Sequence, residues 1–127
     1  MIATDTNVLV RLVTGDDPAQ TQRAAELFAR ESILIPKTVL LETEWVLRYS
    51  YELPPTVILA AFRKVLGLPQ VTAEGGATLV EALAQYGEGM DFADALHLAS
   101  VCEADAFATF DIRLQKRAGT RVKVRLL

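Results

Sequence analysis

The sequence predicts an α/β fold, a three-layer arrangement in which a central, mostly parallel sheet of four to five strands carries helices on both faces. Three observations lead there. Short β-branched runs alternate with longer amphipathic stretches, prolines and glycines punctuate the boundaries between them, and the apolar residues, 51% of the 127, are spread along the whole chain. No internal repeat or polar low-complexity tract interrupts the pattern, so one domain over residues 1–127 is expected.

The elements follow in order. Ile2 to Asp5 reads as a short strand, and Pro18 opens a helix that runs through an alanine-rich segment to about Glu31. A second strand is expected at Ile33 to Ile35. Pro36 starts a long helical pattern to Tyr51, which Pro54 and Pro55 break. A further helix, Thr56 to Leu66, ends at Gly67 and should pair antiparallel with its predecessor. Gln70 to Thr72 fits a third strand, Ala77 to Tyr86 a helix between glycines, and Phe92 to Cys102 another. Strands near Ala106 to Phe110 and Val122 to Leu126 close the chain. In parallel sheets of this kind the functional site lies beyond the carboxyl ends of the strands, and Asp5 and Asp111 each stand at such an end.

Composition narrows the function classes. Cys102 is the only cysteine and His97 the only histidine, which excludes intrachain disulfides and zinc sites of the Cys/His type. No stretch approaches the run of apolar residues that a membrane span needs, and the chain opens on a strand rather than a basic, apolar leader, so a cytoplasmic location is expected. The net charge of -3 is unevenly placed. Residues 1 to 112 hold all sixteen acidic and seven basic groups, whereas Arg113, Lys116, Arg117, Arg121, Lys123 and Arg125 crowd the last fifteen positions. That basic end serves either as a solvated turn and edge strand or as a contact for a polyanion.

Helical wheels single out two acids. On the Val39 to Tyr51 pattern, at about 100° per residue, Glu42 falls between Tyr49 and Val46 inside the apolar arc, while Glu44 lies on the narrow polar face with Arg48 one turn later, an ordinary surface pair. On Asp91 to Glu103, Asp94 falls between Val101 and Leu98, opposite Ala93 and Ser100. A buried, unpaired carboxylate costs several kcal/mol, so such groups are protonated, paired or bound to metal. Four acids, Asp5, Glu42, Asp94 and Asp111, therefore form a candidate site for a divalent cation, and oxygen-only ligation suits Mg²⁺ or Mn²⁺. Each has a plainer use as well: Asp5 and Asp111 as helix caps, Asp94 as a first-turn acid, Glu42 as partner of an arginine from elsewhere. Asp91 reads as an N-cap or first-turn residue, with a supporting metal role as its lesser use. His97 with Ser100 lacks the motif of a hydrolase triad and reads as a residue at the edge of the packed helix face. Trp45, Tyr49 and Tyr51 fit a core or protein interface better than a stacking platform.

Together these segments resemble the PIN-domain family, and within it the VapC-like toxins of toxin-antitoxin pairs. Asp5-Thr6-Asn7-Val8-Leu9 resembles the first family motif, and Glu42 followed by Trp45-Val46-Leu47 the second. Asp91-Phe92-Ala93-Asp94-Ala95-Leu96 is similar to the third, with Asp94 as the ligand, and Ala108-Thr109-Phe110-Asp111 to the fourth, with Thr109 a lesser polar contributor. The resemblance implies a PIN-like fold and an endoribonuclease that hydrolyses phosphodiester bonds in RNA with Mg²⁺ or Mn²⁺. It also implies a homodimer and a small antitoxin protein as partner, for which the groove between the Val39 to Tyr51 and Thr56 to Leu66 helices offers a landing place. Arg11, Arg48 and the basic tail stand as candidate contacts to the RNA backbone. An aspartyl phosphotransferase of the haloacid-dehalogenase type fits less well, because Asn7 stands where its second Asp belongs, and a receiver-type signalling domain lacks its paired acids. A PIN-like module that binds RNA or protein without cutting is the non-enzymatic alternative.

Overall fold

Two compact units, Met1–Gly76 and Ala77–Leu127, make up the computed structural model, which describes residues 1–127. In the first, strands β1 (Ile2–Ala3), β2 (Ile33–Ile35) and β3 (Val71–Ala73) form a parallel sheet in the order β1-β2-β3. The register sets Ile2 against Ile33, and Ile33 and Ile35 against Val71 and Ala73. Parallel neighbours need a crossover. Helices α1 (Thr6–Thr14) and α2 (Pro18–Arg30) supply the first, and α3 (Lys37–Tyr49) and α4 (Pro55–Leu66) the second. Central β2 buries Ile33 and Ile35 completely, and Leu9, Phe28, Leu40, Leu47, Ile58 and Phe62 are among the other buried apolar side chains of this unit. Each such side chain contributes roughly 1.5–3 kcal/mol relative to exposure.

Local chemistry sets the helix ends. Asp17 caps α2 by accepting from the Gln20 N–H at 3.0 Å, with Pro18 in the first turn, where its missing N–H costs nothing. Pro36 cannot cap α3 with a side chain, and the exposed Lys37 N–H is met instead by Glu74 at 2.8 Å, from the segment after β3. Pro55 occupies the first position of α4, one residue before the expected start at Thr56, where its missing N–H is again harmless.

Helix α5 (Gly76–Gly87) begins at the last residue of the first unit and otherwise belongs to the second, which also holds α6 (Phe92–Ala99), β4 (Phe107–Thr109), α7 (Ile112–Ala118) and β5 (Val124–Leu126). Leu79, Leu83, Tyr86, Phe92, Leu96 and Leu114 are buried here, with Tyr86 edge-on to Phe92 at 5.2 Å. Strands β4 and β5 pair in parallel, Phe107 opposite Val124 and Thr109 opposite Leu126, and α7 is their crossover.

The α/β class, the parallel pairing and the five strands match expectation, but hydrogen bonding divides the strands between a three-stranded and a two-stranded sheet. Helices α1 and α7 had been legible only as helical turns behind Asp5 and Asp111. In α1 the cause is composition: Thr6, Asn7, Val8, Val10, Val13 and Thr14 are poor helix formers. Burial of Leu9 and Val10 and caps at both ends override that preference. Seven-residue α7 is too short for a periodic signal. Helix α6 stops at Ala99 rather than Cys102, where Ser100 turns its hydroxyl onto the Leu96 carbonyl.

Candidate functional site

Asp5 follows β1 and turns the chain into α1, its Oδ1 accepting the Val8 N–H at 3.0 Å. The capping role and the site role are compatible, since the second carboxylate oxygen takes no protein donor. Thr6, the next residue, is buried and donates its hydroxyl to Glu42 Oε1 on α3. Asp5, Thr6, Asn7, Val39, Glu42 and Val46 line one cavity of about 360 Å³. Asp5 and Glu42 are thus brought together. Thr6 had no assigned role in the sequence reading; its partner lies 36 positions away, and a threonine after a strand carries no signal of it.

The two glutamates of α3 trade places relative to expectation. Glu42 is exposed at the cavity, and Glu44, read as a surface residue, is 1% exposed. The covered stripe is Leu40, Thr43, Glu44 and Leu47, while Trp45 and Tyr49 stand 57% and 58% exposed. The wheel assumed that the face richest in apolar groups is the covered one. Glu44 tolerates burial because the i,i+4 pairing with Arg48 does form: Nη2 donates to Oε1 at 3.1 Å, and Nε stands 2.9 Å from Oε2, close enough to neutralise it although poorly aligned as a donor.

In the second unit, Asp91 caps α6 through the Asp94 N–H at 3.2 Å. Asp94 itself is half-buried in the first turn of α6. Burial, then the nearby Asp91, then Asp111 raise its pKa above the ordinary carboxylate value, opposed more weakly by His97. His97 is exposed. Asp111 follows β4 and caps α7, its Oδ1 accepting from Arg113 N at 2.8 Å and Leu114 N at 3.2 Å. Thr109 accepts the Asp111 N–H at 3.0 Å, so its polar contribution is to hold the aspartate's backbone. No group of three or more His, Cys, Asp or Glu side chains is arranged to hold a metal ion. The pairs are Asp5 with Glu42, and Asp94 in the field of Asp91 and Asp111.

Several candidate cations are already engaged. Arg11 pairs with Asp16 at 3.1 Å, Arg121 with Glu88 at 3.1 Å, and Arg117 donates to the Gly89 carbonyl at 2.6 Å. Arg113, Lys116, Lys123 and Arg125 remain exposed and carry no ion pair.

A family model described as PIN domain matches residues 2–120, almost the entire chain. The chain belongs to the PIN domain family. PIN domains have a nuclease-type fold, are commonly metal-dependent ribonucleases and typically use divalent metals. The match spans both units and every acid discussed above. No curated protein and no solved structure matches this PIN domain. The donor chemistry fits a hard cation, since the side chains concerned offer only carboxylate oxygens and Asp94 already experiences an excess of negative charge. No helix is long and apolar enough to cross a membrane.

Proposed function

We propose that this PIN domain is a divalent-metal-dependent endoribonuclease and acts as one catalytic domain over residues 1–127. The observation that carries the reading is Asp94, a half-buried carboxyl whose pKa is raised by burial first and then by the charges of Asp91 and Asp111, inside a chain that matches a nuclease family. Asp5, Glu42, Asp94 and Asp111 are the residues that would hold Mg²⁺ or Mn²⁺. Such an ion would supply Lewis acidity for phosphodiester hydrolysis.

The chain's own side chains orient the donors. Thr6 holds one oxygen of Glu42, the Val8 N–H fixes Asp5, and Thr109 with the first turn of α7 fixes Asp111. Such supporting hydrogen bonds limit the freedom of the ligands and favour one geometry. Exposed Arg113, Lys116, Lys123 and Arg125 are suited to RNA phosphates.

The family resemblance further supports a toxin of a toxin-antitoxin pair, located in the cytoplasm, with a small antitoxin protein and a second copy of the chain as partners. The exposed, tilted pair Trp45 and Tyr49, 5.1 Å apart with Arg48 over the Tyr49 ring, is suited to a protein contact on α3. A sedimentation mass of one 13.9 kDa chain at micromolar concentration would remove the homodimer from this reading.

The test is cleavage of a panel of structured RNAs by the purified chain with Mg²⁺, Mn²⁺ or EDTA, beside Asp94→Asn, which keeps shape and removes charge. We expect metal-dependent cleavage that falls on the order of 100-fold or more in the variant, as loss of a key electrostatic group does. A second reading, a binding module without catalysis, draws on the absence of a ready three-ligand group. RNA binding without cleavage, and no uptake of divalent ions in calorimetry, would favour it.

A further inference from the structure

A second cavity, of about 400 Å³, opens between α1 and α2. Its size lies in the range of small-molecule sites. Asp5 and Asn7 line both this cavity and the one that contains Glu42, so a group seated between α1 and α2 is next to the proposed cleavage site. The wall differs in chemistry from the acidic side. Gln20 and Arg23 of α2 face in with Asn7, over an apolar floor that includes Ala24 and Leu27.

The hydrogen bonding of Gln20 is directional. Arg11 Nε donates to Gln20 Oε1 at 2.8 Å, and because a guanidinium has only donors, the amide must turn its oxygen to Arg11. Arg11 is itself held by Asp16 at 3.1 Å and by the Tyr51 hydroxyl at 3.0 Å, so this orientation is braced from behind. Gln20 Nε2 is left as a donor without a protein acceptor. Arg23 is exposed, carries no ion pair, and is likewise donor-only.

We infer that the α1–α2 cavity is a subsite for one unstacked RNA base, read by Gln20 Nε2 and Arg23 as donors, with preference for a keto base, guanine or uracil, over adenine or cytosine. On the edge that carries position 6 of a purine or position 4 of a pyrimidine, guanine presents O6 beside N7 and uracil presents O4 to such donors, whereas adenine and cytosine place an amino donor at that position. Single-stranded RNA offers these edges once its bases unstack, and the apolar floor receives the ring face. The choice of RNA as ligand rests on the nuclease reading above; the donor pattern of the cavity does not.

The experiment titrates the full chain, in EDTA, with the 5′-monophosphates of guanosine, uridine, adenosine and cytidine, following the side-chain amides of Gln20 and Asn7 and the Arg23 Nε–H by NMR. The expected result is binding of the keto nucleotides at least about fivefold tighter, the scale of one mismatched hydrogen bond. Gln20→Glu keeps an oxygen for Arg11 and replaces the donor by an acceptor, so it should reverse the order of preference while the fold is retained. Arg23→Ala should weaken all four. Equal affinities, no binding, or a ratio that Gln20→Glu leaves unmoved would overturn the subsite. The two readings fail separately: keto-selective binding without RNA cleavage sinks the nuclease and leaves the subsite, whereas metal-dependent cleavage with no base preference at Gln20 does the reverse.

Discussion

At the scale of single residues, Asp94 links the candidate chemistry to stability. Its folded-state pKa lies above the unfolded value, so the stabilising form is the protonated one. That contribution is fully present below the unfolded pKa, about 3.9 for an aspartate, and is lost as pH rises through the higher folded value. At neutral pH the ionised group therefore opposes folding in the absence of metal. Asp94→Asn should raise the melting temperature in EDTA at pH 7.5, by roughly 2 °C for a domain of this size, with the advantage shrinking as the pH falls toward 3.5. Added Mg²⁺ or Mn²⁺ should stabilise the parent chain and not the variant. A melting temperature for Asp94→Asn that is lower than the parent's at neutral pH would show that Asp94 is held by favourable contacts instead.

At the scale of elements, α1 depends on its two ends. Asp5 starts it, and Gly15 ends it at φ 67°, in the left-handed region, with its N–H on the Arg11 carbonyl at 3.0 Å. Nothing lies within 4 Å of where a Cβ would stand at Gly15, so a side chain there meets backbone strain and no clash. Gly15→Ala should therefore cost about 1 kcal/mol in urea denaturation, the penalty of a left-handed alanine. A neutral result would mean that the α1–α2 junction adopts a right-handed turn without loss. The junction also carries Asp16, whose pKa is lowered chiefly by the Tyr51 hydroxyl, 2.6 Å away, with Thr14 and Arg11 adding to the effect. This network fixes the end of α1 from which Arg11 orients Gln20.

At the scale of the whole molecule, the family match runs across both compact units, and we propose that they unfold as one domain. Trp45, the only tryptophan, reports on the first unit by fluorescence, while far-ultraviolet circular dichroism sums the helices of both. Coincident urea transitions by the two probes are expected of a single cooperative domain. Separated midpoints would make each unit a folding domain in its own right. The five strands are short, two or three residues each, so most of the buried apolar area belongs to helices, and the sheets chiefly set where Asp5 and Asp111 emerge.

The order of elements from α2 onward, α7 excepted, and the place of Asp5 and Asp111 behind strands, could be read from local pattern, because proline, glycine and β-branched runs act on their own neighbours. The spacing of the acids within four family-like motifs was likewise visible residue by residue. Tertiary structure alone decided which face of α3 is covered, and so exposed Glu42 and buried Glu44, since periodicity reports where apolar groups lie and not what packs on them. It also made α1 a helix against the preference of its residues, joined Thr6 to Glu42, and turned the Gln20 amide oxygen to Arg11. These depend on partners 9 to 36 positions apart in the chain, and a hydrogen bond across such a distance leaves no trace in the local sequence.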